Sequence, residues 1–402
     1  MCHYFKGSIY NHPFSTQHFS WLVVRLIMEN IHDGLPIPYM HMLENYKLAS
    51  ENITEGQKSF HWDVFPKNYE KAIESIDAWR TFLRNPLSLG FNDALLNFDN
   101  TRWQKNKVYK GVDAWERKRQ HDYRELINEI ITDKNDRQET LNLINLLSPI
   151  CGPEFVLDNL QSNIGSPSKI SFSMKSKNEK EKPNNFYCNC HDLGNIYYFW
   201  QISRTVDSLI KNDSPTFIEI GAGYGGIISK LKKRYPKSRC VLFDLPELSA
   251  VQTYYINSEF PNAKIFYYKD LLNVGNDLFS ANFDFLILPG VTFERLPSNY
   301  VDLIINMRSM MEMSSTIIKY YFDNIHRAIK NNGLFVCFNR YIKESSGEKI
   351  ILKNYPFDKF WSIVISQTSI FQNHIHDLIL KRIYQGGTKR SLIYTKLIRA
   401  EI

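Results

Sequence analysis

Two acids flank a run of bare backbone. In "FIEIGAGYGG" (Phe217–Gly226), Glu219 stands two residues before Gly221, and Gly221, Gly223, Gly225 and Gly226 put four glycines within six residues. Asp244 follows in "CVLFDLPE". Glycine permits positive φ and lets a ligand approach the main chain closely. A helix starting behind such a loop offers unpaired N–H groups. Gly221, Gly223 and Gly226 fit G-x-G-x-x-G, a dinucleotide fingerprint that is weak alone. Glu219 argues for another cofactor. A carboxylate there suits a cationic group, such as the amino group of S-adenosylmethionine, and sits awkwardly beside a pyrophosphate. Asp244 can accept hydrogen bonds from both hydroxyls of a ribose and fits either cofactor. The bland alternative, a tight turn without a ligand, leaves the flanking acids unexplained.

Strands and helices alternate around these residues. Apolar runs predict strands at Thr216–Ile220, Cys240–Phe243, Phe283–Leu288, Val301–Asn306 and Leu334–Phe338. Helical spacing predicts helices at Gly225–Tyr235, Leu248–Phe260 and Ser314–Lys330. The last puts Ile318, Tyr321, Phe322, Ile325 and Ile329 on one face, with Ser314 or Ser315 to cap it and Gly333 to end it. Such alternation means a mostly parallel sheet with helices on both faces, and ligands bind beyond its carboxyl ends. "WSIVIS" (Trp361–Ser366) and "HDLILKRI" (His376–Ile383) predict a closing antiparallel hairpin, and "SLIYTKLI" near the end is a third strand-like run. Both "AKIFYYKD" (Ala263–Asp270) and "FDFLILPG" (Phe283–Gly290) suit the third strand. Before about residue 190 the regular alternation is missing. The expected elements there are helical, at about Asn68–Leu83 and Val112–Leu147, with a break near "TDKND". "SMKSKNEKEKPNN" (Ser173–Asn185) is polar enough for a surface loop or linker. The organisation expected is a mainly helical region over 1–190 and an α/β domain over 191–402.

Composition narrows the class. The 402 residues are 43% hydrophobic and 23% charged, as expected of a globular chain of two or three domains. The formal net charge of +7 suits an anionic ligand and is too scattered for a nucleic-acid protein. Six cysteines at irregular spacing make no disulfide framework. "CNCH" (Cys188–His191) lacks a second ligand pair, and His374 and His376 lack a carboxylate partner, so no metal site is expected. "FSWLVVRLIMENI" (Phe19–Ile31) is interrupted by Arg25 and Glu29 and is too short to span a bilayer. Free thiols, no signal peptide and no span predict a cytoplasmic protein.

"EIGAGYGG", "FDLPELSAVQTYYI", "VDLIINMRSMMEM" and "GLFVCFNRY" together resemble the sugar O-methyltransferases, enzymes associated with surface polysaccharide and glycan biosynthesis. The resemblance covers about Asn163–Ile383 and does not extend to the first ~160 residues. It implies a Rossmann-like class I methyltransferase sheet, S-adenosyl-L-methionine as cofactor and a sugar or glycan acceptor. Glu219, Gly221, Ala222, Gly223 and Tyr224 would line the methionine end. Asp244 would hold the ribose, with Leu245 and Pro246 beside the adenosine. Asp270, or the loop after Leu288, would face the adenine.

In this fold the acceptor sits over the ends of the fourth and fifth strands, where Asn306, Arg308, Ser309, Glu312, Asn339, Arg340 and Tyr341 lie. Methyl transfer from a sulfonium is an in-line displacement, so alignment comes first and a general base second. Glu312, an acid within "SMMEM", is the expected base, or else an acid that caps the helix entry. Plant-type O-methyltransferases place a histidine where Ser309 stands, so a histidine base is not expected. Arg308 and Arg340 would hold an anionic acceptor such as a nucleotide sugar, or else be surface arginines. Asn306 would act in catalysis or tie down its own strand end. His191, before the helix under the glycine loop, would reach the acceptor. The alternatives are a methyltransferase of a small phenolic or amine metabolite, a nicotinamide oxidoreductase and a non-catalytic binding module.

Overall fold

A computed structural model describes residues 39–51, 79, 82–84, 134–167, 169–174, 184–345 and 348–383. The apolar run Phe19–Ile31, most of the expected helix at Asn68–Leu83, the 112–133 part of the next helix and the last strand-like run lie outside these residues.

In chain order the elements are α1 (Tyr39–Glu51), α2 (Lys134–Cys151), α3 (Pro153–Asp158), β1 (Ile170–Met174), β2 (Asn184–Cys188), α4 (Cys190–Leu209), β3 (Thr216–Ile220), α5 (Gly226–Arg234), β4 (Arg239–Asp244), α6 (Pro246–Glu259), β5 (Ile265–Tyr267), α7 (Tyr268–Val274), β6 (Phe285–Pro289), β7 (Val301–Met307), α8 (Ser315–Ala328), β8 (Ile329–Arg340), β9 (Ile342–Ser345), β10 (Glu348–Ile351), β11 (Trp361–Thr368) and β12 (Ile375–Arg382). Eight strands form one sheet in the order β11-β12-β8-β7-β3-β4-β6-β5. Six of them are parallel; β12 is antiparallel to β8 and β11 to β12. The expected parallel sheet with a closing hairpin is therefore present.

Helices cover both faces of this sheet, so its central strands are apolar on both sides. Phe217, Leu242, Ile305 and Phe338 belong to the core that includes α4, α5 and α6 residues. Ile218, Ile220, Phe243 and Cys337 belong to the core under α8. The predicted stripe of α8 is buried as expected: Ile318, Tyr321, Phe322 and Ile325 face inward, and Ser314 Oγ accepts the Ile317 N–H at 3.3 Å. Gly333 does not end that helix. It stops at Ala328, and Ile329 already pairs with Val301, which places Gly333 inside β8.

Both candidates for the third strand are strands. Phe285–Pro289 lies beside β4, whereas Ile265–Tyr267 is the outer edge beyond it.

The region before residue 190 is not wholly helical. Ser171–Tyr187 and Phe172–Phe186 pair in the antiparallel β1–β2 hairpin. Cys188, at the end of β2, and Cys190, at the start of α4, flank Asn189, whose Oδ1 accepts the Asp192 N–H at 2.8 Å. "CNCH" is thus a strand end and a helix cap. Trp79, Phe82, Leu147 and Phe172 share one buried cluster with Phe217 and Ile227, so packing runs across the expected boundary at 190/191. Among the described residues no helix is long and apolar enough to cross a membrane, and no group of three or more His, Cys, Asp or Glu is placed to hold a metal.

Candidate active site

The carboxyl ends of β3, β4, β6, β7 and β8 converge on the glycine loop. Glu219 is on the same face of β3 as Phe217, so its side chain lies under the start of α5. It is 3% exposed, and its Oε2 accepts the Ile228 N–H at 3.2 Å. Burial raises its pKa well above the carboxylate range; the Ile228 N–H opposes this and nearby Asp244 adds to it. A carboxylate therefore already occupies the N-terminus of α5, where a dinucleotide pyrophosphate would sit.

Three loop glycines require left-handed backbone: φ is +67° at Gly221, +57° at Gly223 and +92° at Gly225. Gly225 is the N-cap of α5. A Cβ on Gly221 would run into the Ser309 side chain. The Gly223 N–H donates to Asp244 Oδ2 at 2.8 Å, and the Leu245 N–H donates to Asp244 Oδ1 at 2.8 Å. Gln252, fully buried on α6, donates Nε2 to the Gly223 carbonyl at 2.9 Å. Its Oε1 is buried without a hydrogen-bond partner. Burial raises the Asp244 pKa to about 7 against the opposing Leu245 and Gly223 N–H groups, with Glu247 and Glu312 adding to the rise.

Beside Asp244 lies the loop after β6. Asp244 is in register with Pro289, and the space above Gly290 is filled by the Tyr321 hydroxyl. Asp270 is elsewhere: it follows the edge strand β5, and its Oδ2 accepts the Tyr267 N–H at 2.8 Å to cap α7. Of the two places expected to face an adenine, only the loop after Leu288 adjoins Asp244.

Tyr224 also differs from expectation. It is 5% exposed, between Tyr255 at 4.9 Å and Phe82 at 5.9 Å between ring centroids, with His191 at 6.3 Å. Gln161 Nε2 donates to its hydroxyl at 3.2 Å and Asn195 Nδ2 reaches it at 3.5 Å. Tyr224 anchors the loop to α4 and to the segments before it. Gln161 is itself fixed, since its N–H donates to Asp192 Oδ2 at 2.8 Å and Lys169 Nζ donates to its carbonyl at 2.6 Å.

On the acceptor side, Asn306 and Asn339 are both fully buried. Asn306 Nδ2 donates to the Ile220 carbonyl at 2.9 Å and to Ser309 Oγ at 2.5 Å. Asn339 Nδ2 donates to Asn306 Oδ1 at 2.9 Å, and its Oδ1 accepts the Met311 N–H at 3.2 Å. Ser309 Oγ donates to the Ile220 carbonyl at 3.1 Å. The three side chains bind the ends of β3, β7 and β8 together, and their hydrogen bonds are internal. Asn306, Ser309 and Asn339 therefore tie strand ends together.

Glu312 is not isolated among apolar neighbours. Lys343 Nζ, from β9, donates to its Oε1 at 2.6 Å. Arg308 has φ +59°, its N–H donates to the Phe338 carbonyl at 2.7 Å, and its guanidinium reaches Gln372 Oε1 at 3.4 Å. Arg340, at the end of β8, is exposed. Tyr341 Oη lies 2.7 Å from Thr368 Oγ1 and 3.0 Å from His376 Nδ1. Burial pushes the His376 pKa down to about 4, and that of His191 to about 3 with Arg308 and Lys230 adding.

The structure thus places Glu219, the glycines, Asp244, Leu245, Ser309 and Glu312 about the carboxyl ends of the parallel strands, with Arg308 and Arg340 following β7 and β8 and His191 beside Tyr224. Gln252, Tyr321, Gln161 and Phe82 were not foreseen. Each acts through a distant contact, and only Gln252, a polar residue in an apolar helix, carried any local signal.

No family model matches the chain, and no curated protein is similar enough to match. Among solved structures the chain is similar to the CurJ carbon methyltransferase, at TM-score 0.34 and 12% identity over 48% of this chain and 55% of that one. It is also similar to mitomycin 7-O-methyltransferase MmcR, at TM-score 0.29 and 14% identity over 48% and 57%. A third likeness is to geranyl diphosphate C-methyltransferase from Streptomyces coelicolor A3(2), at TM-score 0.31 and 14% identity over 46% and 75%. The match spans little more than half the length of the first two. The strand order, rather than these distant likenesses, defines the fold: a Rossmann-like α/β sheet, mostly parallel and closed by an antiparallel hairpin.

Proposed function

We propose that the chain binds S-adenosylmethionine and methylates a sugar hydroxyl during glycan assembly. The observation that carries the cofactor is the placement of the two acids. Glu219 occupies the α5 N-terminus, which disfavours a pyrophosphate there. Asp244 is drawn to the glycine loop by the Gly223 N–H at 2.8 Å. The residues fit the cofactor: Asp244 has carboxylate lone pairs beyond the bonds it already accepts, and Gln252 Oε1 is an orphaned acceptor beside it. Glu219 and the loop backbone would hold the methionine end, Asp244 the ribose, and Pro289–Val291 with Tyr321 the adenine.

The bound cofactor would supply an electrophilic methyl group. The chain's task is then to hold the acceptor oxygen in line with it and to take up its proton. The Asn306–Ser309–Asn339 network fixes the floor on which the acceptor would rest. Glu312 is the carboxylate proposed to take the proton, with Lys343 setting its position. The sugar assignment is supported by the four motif segments and by the cationic side chains of Arg308 and Arg340 at the ends of β7 and β8. Phe82 and Gln161, packed on Tyr224, support a role for the residues before 190 as a cover over the glycine loop.

Calorimetric titration with S-adenosylhomocysteine and, separately, NADH tests the cofactor. Binding of the first alone is expected; binding of NADH alone would overturn the proposal. Methyl transfer to a panel of sugars against phenols and amines then tests the acceptor.

A further inference from the structure

Resting on that reading of the site, we infer that the acceptor sugar carries a phosphate group, which Arg308 and Arg340 hold across the ends of β7 and β8. The two arginines follow adjacent strands of the sheet, β7 and β8. Several cationic side chains of the α/β sheet region have a carboxylate: Lys230 has Asp192, Lys343 has Glu312, Arg234 has Asp207 and Arg382 has Asp358. Among the described residues, Arg308 and Arg340 have none, and the one side-chain partner of Arg308 is the neutral Gln372.

Arg308 is also held where few residues of its kind would be. Its left-handed backbone is a strained one for a residue with a side chain. The Phe338 carbonyl on one side and the Ser309 network on the other keep it there. The result sends the guanidinium toward the turn before β12, at Gln372. His374, on the same turn, feels both arginines: its pKa is lowered by burial first, then by Arg340 and by Arg308. Two uncompensated guanidiniums over the acceptor end of a sheet form an anion site. Guanidinium forks match phosphate oxygens in pairs, and two of them match the charge of a diphosphate better than that of a single carboxylate. Such a group is found on a nucleotide-linked or a lipid-linked sugar.

The test uses the full chain, in the presence of S-adenosylhomocysteine at fixed ionic strength, titrated with pyrophosphate, uridine diphosphate, isopentenyl diphosphate and glucuronate. Wild type is expected to bind pyrophosphate with Kd below ~1 mM. Arg340→Gln and Arg308→Asn should each weaken it ~tenfold or more, while S-adenosylhomocysteine affinity stays within ~twofold. Asparagine tolerates the left-handed backbone, which keeps the second variant folded. The tighter of uridine and isopentenyl diphosphate names the carrier, nucleotide or lipid. Absent pyrophosphate binding beside intact S-adenosylhomocysteine binding overturns the inference alone. So does undiminished binding in both variants, or glucuronate binding tighter than pyrophosphate. Absent S-adenosylhomocysteine binding in wild type overturns the cofactor reading, and this inference with it.

Discussion

Gly223 donates its N–H to Asp244 Oδ2 at 2.8 Å, so one hydrogen bond joins the glycine loop after β3 to the end of β4. The same carboxylate accepts from Leu245 at the start of α6. Loop, strand and helix therefore meet on a single side chain, and that side chain is the one proposed to hold the ribose.

Its ionisation gives the first prediction. Burial raises the Asp244 pKa from 3.8 to about 7 in the folded chain. The folded state then binds more protons than the unfolded one between those values, so this group's contribution to stability falls as pH rises through that window and levels off above about 7. Ribose hydroxyls donate to the ionised form, so S-adenosylhomocysteine affinity should move the other way and rise from pH 6 to 8. Calorimetry across this range checks it, and Asp244→Asn should flatten the dependence. A slope unchanged in Asp244→Asn would assign the titration to another group.

Gly221→Ala should be severe. The substitution adds a left-handed penalty of about 1–2 kcal/mol and drives a methyl group into Ser309. We expect a lowered Tm and lost S-adenosylhomocysteine binding. Adding Ser309→Gly should recover part of the Tm by removing the obstruction. If the double variant is as unstable as the sum of the two singles, Ser309 is not the obstacle.

Glu219→Gln keeps an acceptor for the Ile228 N–H and should leave thermal stability nearly unchanged. It removes the group's capacity to ionise against the cofactor's ammonium, so S-adenosylhomocysteine affinity should fall ~tenfold or more. Affinity equal to wild type would reduce Glu219 to a helix cap.

Phe82→Ala should destabilise the chain by about 3–5 kcal/mol, as loss of a fully buried aromatic side chain does. Because Phe82 touches Tyr224, the glycine loop should loosen as well. Hydrogen exchange at Gly223 and Gly225 should therefore quicken more than exchange in β7. Equal acceleration in both places would make Phe82 an ordinary core residue.

The parallel sheet was legible because its strands are buried on both faces and read as unbroken apolar runs. In the closing hairpin this holds for β12, whereas β11 is half-buried or exposed along most of its length. Lateral order was not: "AKIFYYKD" and "FDFLILPG" look alike in sequence, and only pairing puts one beside β4 and the other at the edge. Gly333 showed that a helix end can be set by the next strand, since the pairing of Ile329 with Val301 closes α8 before any glycine. In the site, the glycines and both acids could be read because their spacing is local. The roles of Asn306, Asn339 and Tyr224 could not, because a polar or aromatic residue beside a cleft has the same letter whether it meets a ligand or a neighbouring strand. The partner of Glu312 could not be read either, because Lys343 is 31 positions away in the chain.

β11 borders only β12, and β12 lies between it and β8. Strand β11 is made first but has nothing to rest on until its successor arrives. The pair must zip together and join the sheet as one piece. Until it does, β8 is a bare edge of Leu334, Phe335, Val336 and Phe338, a template for any stray strand. Among the described residues, the last strand of this sheet to be made is thus the one that covers the β8 edge.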